Sequence, residues 1–301
     1  MKQILNFIQN RNVILISALI LAFTLPANAK HLKEYTILIL GIVMTFSTTG
    51  IKFKMLSDYK SVLKVTFQSV LMNYIIHGTI ILSIAYFLFD ETIFNGFVVI
   101  AATPPGVAII PFTYTFKGDL DYSFKGILGT YLLAILFTPL IISTFAENIS
   151  LNPMIIILVI VKIIIIPIAL SRFLLIKKVI PFTEKYRGKV VDWGFALIIY
   201  TAVAINRDII FSNWIIVLKT SFVLIIAIFV SGIVYLFFTR KNNNKQLQIS
   251  KNLMLTVKAS GFAVAVTLIL FKQKSAIPAA VMSILVLLWL ISLNVYYSNN
   301  K

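Results

Sequence analysis

Apolar residues run along this chain in unbroken blocks, and polar residues gather in the short gaps between them. The blocks fall near residues 12–29, 35–51, 62–89, 93–115, 122–146, 152–176, 189–206, 212–239, 250–271 and 275–297. Each is long enough for a helix to cross ~30 Å of hydrocarbon at ~1.5 Å per residue. The third and eighth exceed 25 residues, so as spanning helices they tilt or protrude. Alternating segments of ~10 residues, the mark of a membrane barrel, are missing. The pattern predicts an all-α polytopic membrane protein of about ten transmembrane helices. The first block also has the outline of a signal peptide, with Lys2 and Arg11 before it and Ala27-Asn28-Ala29 after it. Retaining it keeps the count at ten.

The gaps orient the spans. The N-terminus and every second loop, residues 2–11, 52–64, 117–125, 172–192 and 240–251 together with Lys301, carry 19 Lys/Arg against 5 Asp/Glu. On the opposite side Lys30, Lys33, Arg207, Lys272 and Lys274 balance Glu34, Asp90, Glu91, Glu147 and Asp208. The positive-inside rule puts both termini in the cytoplasm, in agreement with an even number of spans. Three cations remain inside spans: Lys162, Lys219 and Lys258.

Lengths and breaks suggest a repeat. The two long spans are each followed by an irregular one and then by a closing helix, which matches five spans with five. Five is odd, so the halves, residues 1–147 and 148–301, have opposite orientations. Inverted repeats of this kind hold substrate between the halves, at discontinuous helices near the midplane. The clearest discontinuity is TPPGVAIIPFTYTFKGD, Thr103 to Asp119, with Pro104, Pro105, Gly106 and Pro111 inside an apolar run. Interior proline removes a helix hydrogen bond and clashes with the preceding turn, at ~3 kcal/mol. Broken backbone at membrane depth survives only when buried in protein or lining a watered cavity. The break at 103–106, and a second expected near 258–261, therefore predict a solute cavity. The bland alternative is a kinked helix.

Composition agrees and narrows the function. The chain is 59% hydrophobic and 12% charged, with a mean hydropathy of +0.97. Its net charge of +17 belongs to the loops, so no nucleic-acid partner is expected. No cysteine is present, and the two histidines, His31 and His77, match no metal-ligand spacing. No paired carboxylates or nucleophile–base set stands at a plausible depth, so neither an enzyme nor a cofactor is expected. Heavy use of Ile, Lys and Asn suggests an AT-rich bacterial genome, so the membrane is expected to be a bacterial cell membrane.

Residues 103–123, TPPGVAIIPFTYTFKGDLDYS, resemble the fourth-helix signature of the bile acid:sodium symporter family. That signature reads roughly Cys-Pro-Gly-Gly-Thr-Ala-Ser-Asn, then Tyr, then Lys-Gly-Asp and a Ser four residues on. Pro104, Gly106, Ala108, Tyr114, Lys117, Gly118, Asp119 and Ser123 fall into its register. Residues 270–284, LFKQKSAIPAAVMSI, resemble the link into the family's last helix, through Phe271, Ala276, Pro278 and Ala279. The resemblance implies two inverted five-helix repeats, a panel domain beside a core domain, and broken fourth and ninth helices that cross. It implies a secondary transporter of small organic anions, from keto acids to bile-acid-like amphipaths, moving its substrate by alternating access.

The departures from that signature fall on the ion sites. Ile109 and Ile110 stand where the family has Ser-Asn as sodium ligands. In the ninth helix, where the family usually shows Glu, then three residues, then Gln-Asn, this chain has Met254, Lys258 and Ala259. Side chains of Ile, Met and Ala offer sodium no oxygen, and an ammonium repels it. Sodium dependence is thus doubtful, and the coupling ion is sodium or a proton, if the chain is not a uniporter. Lys258 has four accounts: its ammonium replaces a sodium ion, it releases a proton during transport, it binds a substrate carboxylate, or it snorkels to the cytoplasmic surface. Other candidate substrate or ion contacts are Thr103, Pro104, Pro105, Gly106 and Thr113 at the first break and Ser260 and Gly261 at the second. Asn73 and His77, four apart on the third span, and Lys162 in the sixth complete the set. Rival readings are an auxin-efflux-carrier-like transporter, with a similar ten-helix plan, and a membrane sensor or scaffold that has lost transport. An arsenite exporter is disfavoured, because that related group relies on a cysteine.

Overall fold

The structure is a computed structural model that describes residues 11–49, 58–106, 108–146, 154, 158, 161–205, 207–212, 214–271 and 273–299. Lys2, Lys52, Lys54, Glu147, Lys272 and Lys301, used above to count loop charge, lie outside the described residues, as does most of the first half of the sixth block. Among the described residues the regular elements are all helices, and no strand is formed. In chain order the helices are α1 Arg11–Thr24, α2 Ala29–Thr48, α3 Tyr59–Leu88, α4 Glu91–Ala102, α5 Ile109–Thr115 and α6 Leu120–Phe145. They continue with α7 Ile166–Phe173, α8 Ile180–Ile205, α9 Trp214–Thr239, α10 Lys245–Thr256, α11 Ser260–Leu270 and α12 Ile277–Asn299, with shorter helical stretches at Pro26–Asn28, Val161–Ile165, Arg207–Ser212 and Gln273–Ala276.

Four of these, α3, α6, α8 and α9, are long and apolar enough to cross a membrane, and so is the run Gln273–Tyr297 that contains most of α12. The chain is a multi-pass membrane protein. Shorter apolar helices cover Val13–Thr24, Glu91–Ala102 and Ser260–Leu270. The fourth and ninth blocks are thus each two half-helices, α4 with α5 and α10 with α11. Helix α8 starts at Ile180, nine residues before its apolar block, because the polar turns PFTEKYRGK are good enough helix formers to extend it beyond the lipid-compatible part. For the same reason α2 starts at Ala29 and α10 at Lys245.

Scarce acids mark helix starts. Asp58, Asp90 and Asp119 each accept a hydrogen bond from the backbone N–H three residues on, at Ser61, Ile93 and Tyr122, and Asn244 does the same for Leu247. The Lys-Gly-Asp stretch is a corner. Lys117 takes a left-handed turn (φ 59°), and Gly118 donates back to the Thr113 carbonyl at 2.7 Å. A Cβ on Gly118 would sit 2.9 Å from Ile249 Cγ2, so only glycine lets α10 pass there.

Packing divides the helices into two groups. Helices α1, α2, α7 and α8 pack on one another, while α3, α4, α5, α6, α9, α10, α11 and α12 form the other group, which contains most of the main apolar core. The groups meet where α8 touches α11 and α12 and where α2 touches α11. Helices α3 and α9, which arise from the two longest apolar blocks, each carry a π-helical segment, Leu71–Ile76 and Ile226–Val230. Each wide turn adds a residue and redirects the faces on either side of it, and such turns are frequent at functional sites.

Candidate functional site

The two interrupted helices meet at their interruptions. Pro105 and Lys258 form an isolated antiparallel bridge. Gly106 N–H donates to the Val257 carbonyl at 3.0 Å, and Ala259 N–H donates to the Pro104 carbonyl at 3.0 Å. Two extended stretches therefore exchange the backbone bonds that their helices lost. A Cβ on Gly106 would lie 3.0 Å from the Lys258 carbonyl oxygen, so this position holds the strands at contact distance.

A helix that stops inside a membrane leaves its last carbonyls without N–H partners. At the end of α4 the carbonyls from Ile100 to Thr103 each find a donor. The Ile100 carbonyl accepts from Thr103, both backbone and hydroxyl, and the Ala102 carbonyl accepts from Thr138 Oγ1 at 2.7 Å. The Ala101 and Thr103 carbonyls accept from Lys258 Nζ, at 3.0 and 2.8 Å. Lys258 Nζ also donates to Asn73 Oδ1 at 3.0 Å and lies 5.0 Å from the centroid of the Tyr74 ring. An ammonium has three N–H donors, and here all three are used. The Asn73 amide in turn donates to the Met254 carbonyl at 3.2 Å, near the end of α10. Each half-helix end is thus closed by a side chain from the opposite half of the chain.

The electrostatics fit a cation. Carbonyls at a helix C-terminus carry the negative end of the helix dipole, and the Tyr74 face adds the negative side of its quadrupole. Lys258 is 1% exposed, so it does not snorkel, and its three donors are committed to protein oxygens rather than aimed at a solute.

The other expected residues separate into three sets. Thr103, Asn73 and Lys258 form the cage. Pro104, Gly106, Lys258, Ser260 and Gly261 line a cavity of about 60 Å³ between the two helix groups, walled on the far side by Leu40, Phe195 and Ile199. Pro105 is buried in the bridge, and Thr113 is buried against Ser123 with hydroxyls 2.9 Å apart. His77 is fully buried, its ring facing the Leu255 backbone and Lys258. Lys162 stands exposed on a separate π-helical turn, Val161–Ile165. Ile109 and Met254 are fully buried in the main apolar core.

Sequence reasoning missed three members. Ala101 acts through its carbonyl, to which no side-chain pattern points. Thr138 and Tyr74 left a signal that went unread, a hydroxyl ahead of the in-helix Pro139 and an aromatic beside Asn73.

Two interrupted helices that cross beside a cavity, in a multi-pass helical membrane protein, are an arrangement found in secondary transporters. A family model described as Sodium Bile acid symporter family matches residues 37–213, more than half of the chain. The chain belongs to that family. The matched stretch includes Asn73 and the first break and ends before Lys258. A search of curated proteins gave no match.

Proposed function

We propose that this chain moves small organic anions across a bacterial cell membrane by alternating access, without sodium. The observation that carries the reading is the cage around Lys258, where three neutral oxygens surround an ammonium at the crossing of the two breaks. A site of that kind suits a monovalent cation, and here the cation is part of the chain.

The ten-span plan with inverted halves, 1–147 and 148–301, draws support from the spacing of elements. Helix α3 starts at Tyr59 and α9 at Trp214; their π-helical segments start at Leu71 and Ile226. Helix α4 starts at Glu91 and α10 at Lys245, and the breaks that follow begin at Thr103 and Val257. Every pair is offset by about 155 residues. The two packing groups correspond on this reading to panel and core, with both termini cytoplasmic. The anion sits in the cavity between them, near Pro104, Gly106, Ser260 and Gly261. Ala259 provides no side-chain cap to α11, and with the Ser260 N–H given to the Lys258 carbonyl, the N–H groups of Gly261 and Phe262 are the ones offered to a carboxylate. Asn73, Thr103 and Lys258 hold the crossing together, Pro105, Thr113 and His77 support it, and Lys162 faces outward.

The test is uptake by proteoliposomes of a panel of labelled anions, pyruvate, 2-oxoglutarate and taurocholate, in sodium chloride and in choline chloride. Uptake of at least one at equal rates in both salts is the expected result. Uptake only in sodium would overturn the reading of the cage. Uptake of none would favour the sensor or scaffold, which keeps the fold without transport.

A further inference from the structure

A fixed ammonium in place of sodium leaves the transport cycle without its driving ion, and the surroundings of Lys258 suggest one. We infer that the chain couples anion movement to protons, with the Lys258 amine as carrier; this rests on the transport reading above.

The charge at Nζ is held by geometry alone. Its partners are the Asn73 amide oxygen and the carbonyls of Ala101 and Thr103, all neutral. Neutral acceptors hold a buried cation only while every bond is made, because an ammonium stripped of partners in a low-dielectric medium is costly. The titratable groups that face it are His77 and Tyr74 from α3, with Tyr131 of α6 beyond Tyr74. Helices α11 and α12 bring no titratable residue to this depth, and α4 brings none beyond Glu91 at its far end. Lys251 of α10 lies two turns away, and Lys219 of α9 is exposed. Among the described residues, none of the groups facing Nζ is a carboxylate.

Lys258 is one of the residues lining the cavity, although only 1% exposed, and the proton leaves that way when one of the three Nζ bonds opens. The step is R–NH3⁺ + H2O → R–NH2 + H3O⁺, with the water in the cavity. A neutral amine keeps two N–H donors for three acceptors, and its lone pair repels whichever carbonyl it faces. One tie from the second break to α3 or α4 is released. Proton loss therefore loosens the crossing that forms one wall of the cavity. Conversely, an anion at the start of α11 favours the charged amine, and by linkage the charged amine favours the anion to the same degree. One proton and one monoanion then cross together with no net charge.

The test needs no substrate. The chain has no cysteine, so Phe195→Cys places a single thiol in the cavity wall opposite the crossing. Its maleimide reaction rate is measured in full-length protein in nanodiscs, with Lys258 intact and with Lys258→Met. The ratio of the two rates cancels the thiol's own titration. The expected ratio rises at least about threefold between about pH 5.5 and about pH 9 as the crossing loosens. Over the same range the Cε signal of Lys258, assigned by its loss in the Met variant, shifts from ammonium to amine in lysine-labelled protein. A flat ratio, or a Cε signal that stays ammonium throughout, overturns the inference. If the Met variant does not fold, Lys258→Arg, charged at every pH used, takes its place as the pH-insensitive partner. Failure of every anion to enter proteoliposomes would sink the transport reading without touching either measurement.

Discussion

Removing the ammonium while leaving its cage is the most direct challenge to these conclusions. Lys258→Ala strips the donor from Asn73 Oδ1 and from the Ala101 and Thr103 carbonyls, all within 3.0 Å of Nζ. A buried acceptor left bare costs about 2 kcal/mol, so three cost about 6. Against this, the variant no longer buries a charge in the membrane, a relief of about 3 kcal/mol on insertion scales. A net loss of about 3 kcal/mol remains. The emptied cage is then three inward-facing oxygens with room for a small cation. Binding at a hundredfold excess over Kd returns about 2.7 kcal/mol, nearly the whole deficit. The assay is thermal unfolding of purified protein in sodium, lithium, potassium and choline chloride at equal ionic strength. Wild type should melt at one temperature in all four. Lys258→Ala should melt lower in choline and recover in one of the alkali salts. Lys258→Met, which keeps the stem and blocks the space, should melt low in all of them. Equal stability of Lys258→Ala and wild type in choline, or a deficit that no alkali ion reduces, would refute the assignment of the cage as a cation site.

Further outcomes follow from the same geometry. Asn73→Leu should cost about 2–4 kcal/mol, since it bares the Met254 carbonyl and takes one acceptor from Lys258; denaturant or thermal titration reads this directly. Gly106→Val should abolish uptake with the protein still inserted, because its Cβ would press within 3.0 Å of the Lys258 carbonyl; wild-type uptake in this variant would show that the contact is not needed. The double change Pro104→Ala with Pro105→Ala should let α4 run on and cut uptake at least tenfold, whereas unchanged uptake would mark the break as a passive kink. Single cysteines at Lys178 and Asp90 should react with an impermeant maleimide from the cytoplasmic and the outer side respectively. The reverse labelling would invert the topology.

Much of this architecture could be read from residue order, for identifiable reasons. Apolar blocks mark membrane helices because lipid tolerates little else, and Pro104-Pro105 marks a break because neither residue can donate a backbone bond. The second break carries no proline or glycine at Val257–Lys258 and could be placed only through the family resemblance and the odd lysine. What holds the two together was illegible, because it consists of carbonyls at Pro104, Val257, Ala101 and Thr103, which any residue supplies. Asn73 stood out as a polar residue in an apolar run, although its partner lies 185 residues away. Lys162 drew attention by the same rule and proved to be exposed, since depth in an apolar block says nothing of which side of the helix a residue occupies.

The reciprocal closure of the two breaks bears on the order in which the molecule can be made. Ala101 and Thr103 enter the membrane with the first half of the chain, but their donor is translated about 155 residues later, roughly ten to thirty seconds at ordinary rates of synthesis. Through that interval α4 ends in bare carbonyls, which hydrocarbon does not tolerate. The nascent first half must either keep this stretch at the aqueous mouth of the insertion machinery or shelter it against a chaperone. A chain stopped before Lys258 would hold an open seam at mid-membrane and should be cleared by membrane proteases, and supplying the second half as a separate polypeptide should rescue it.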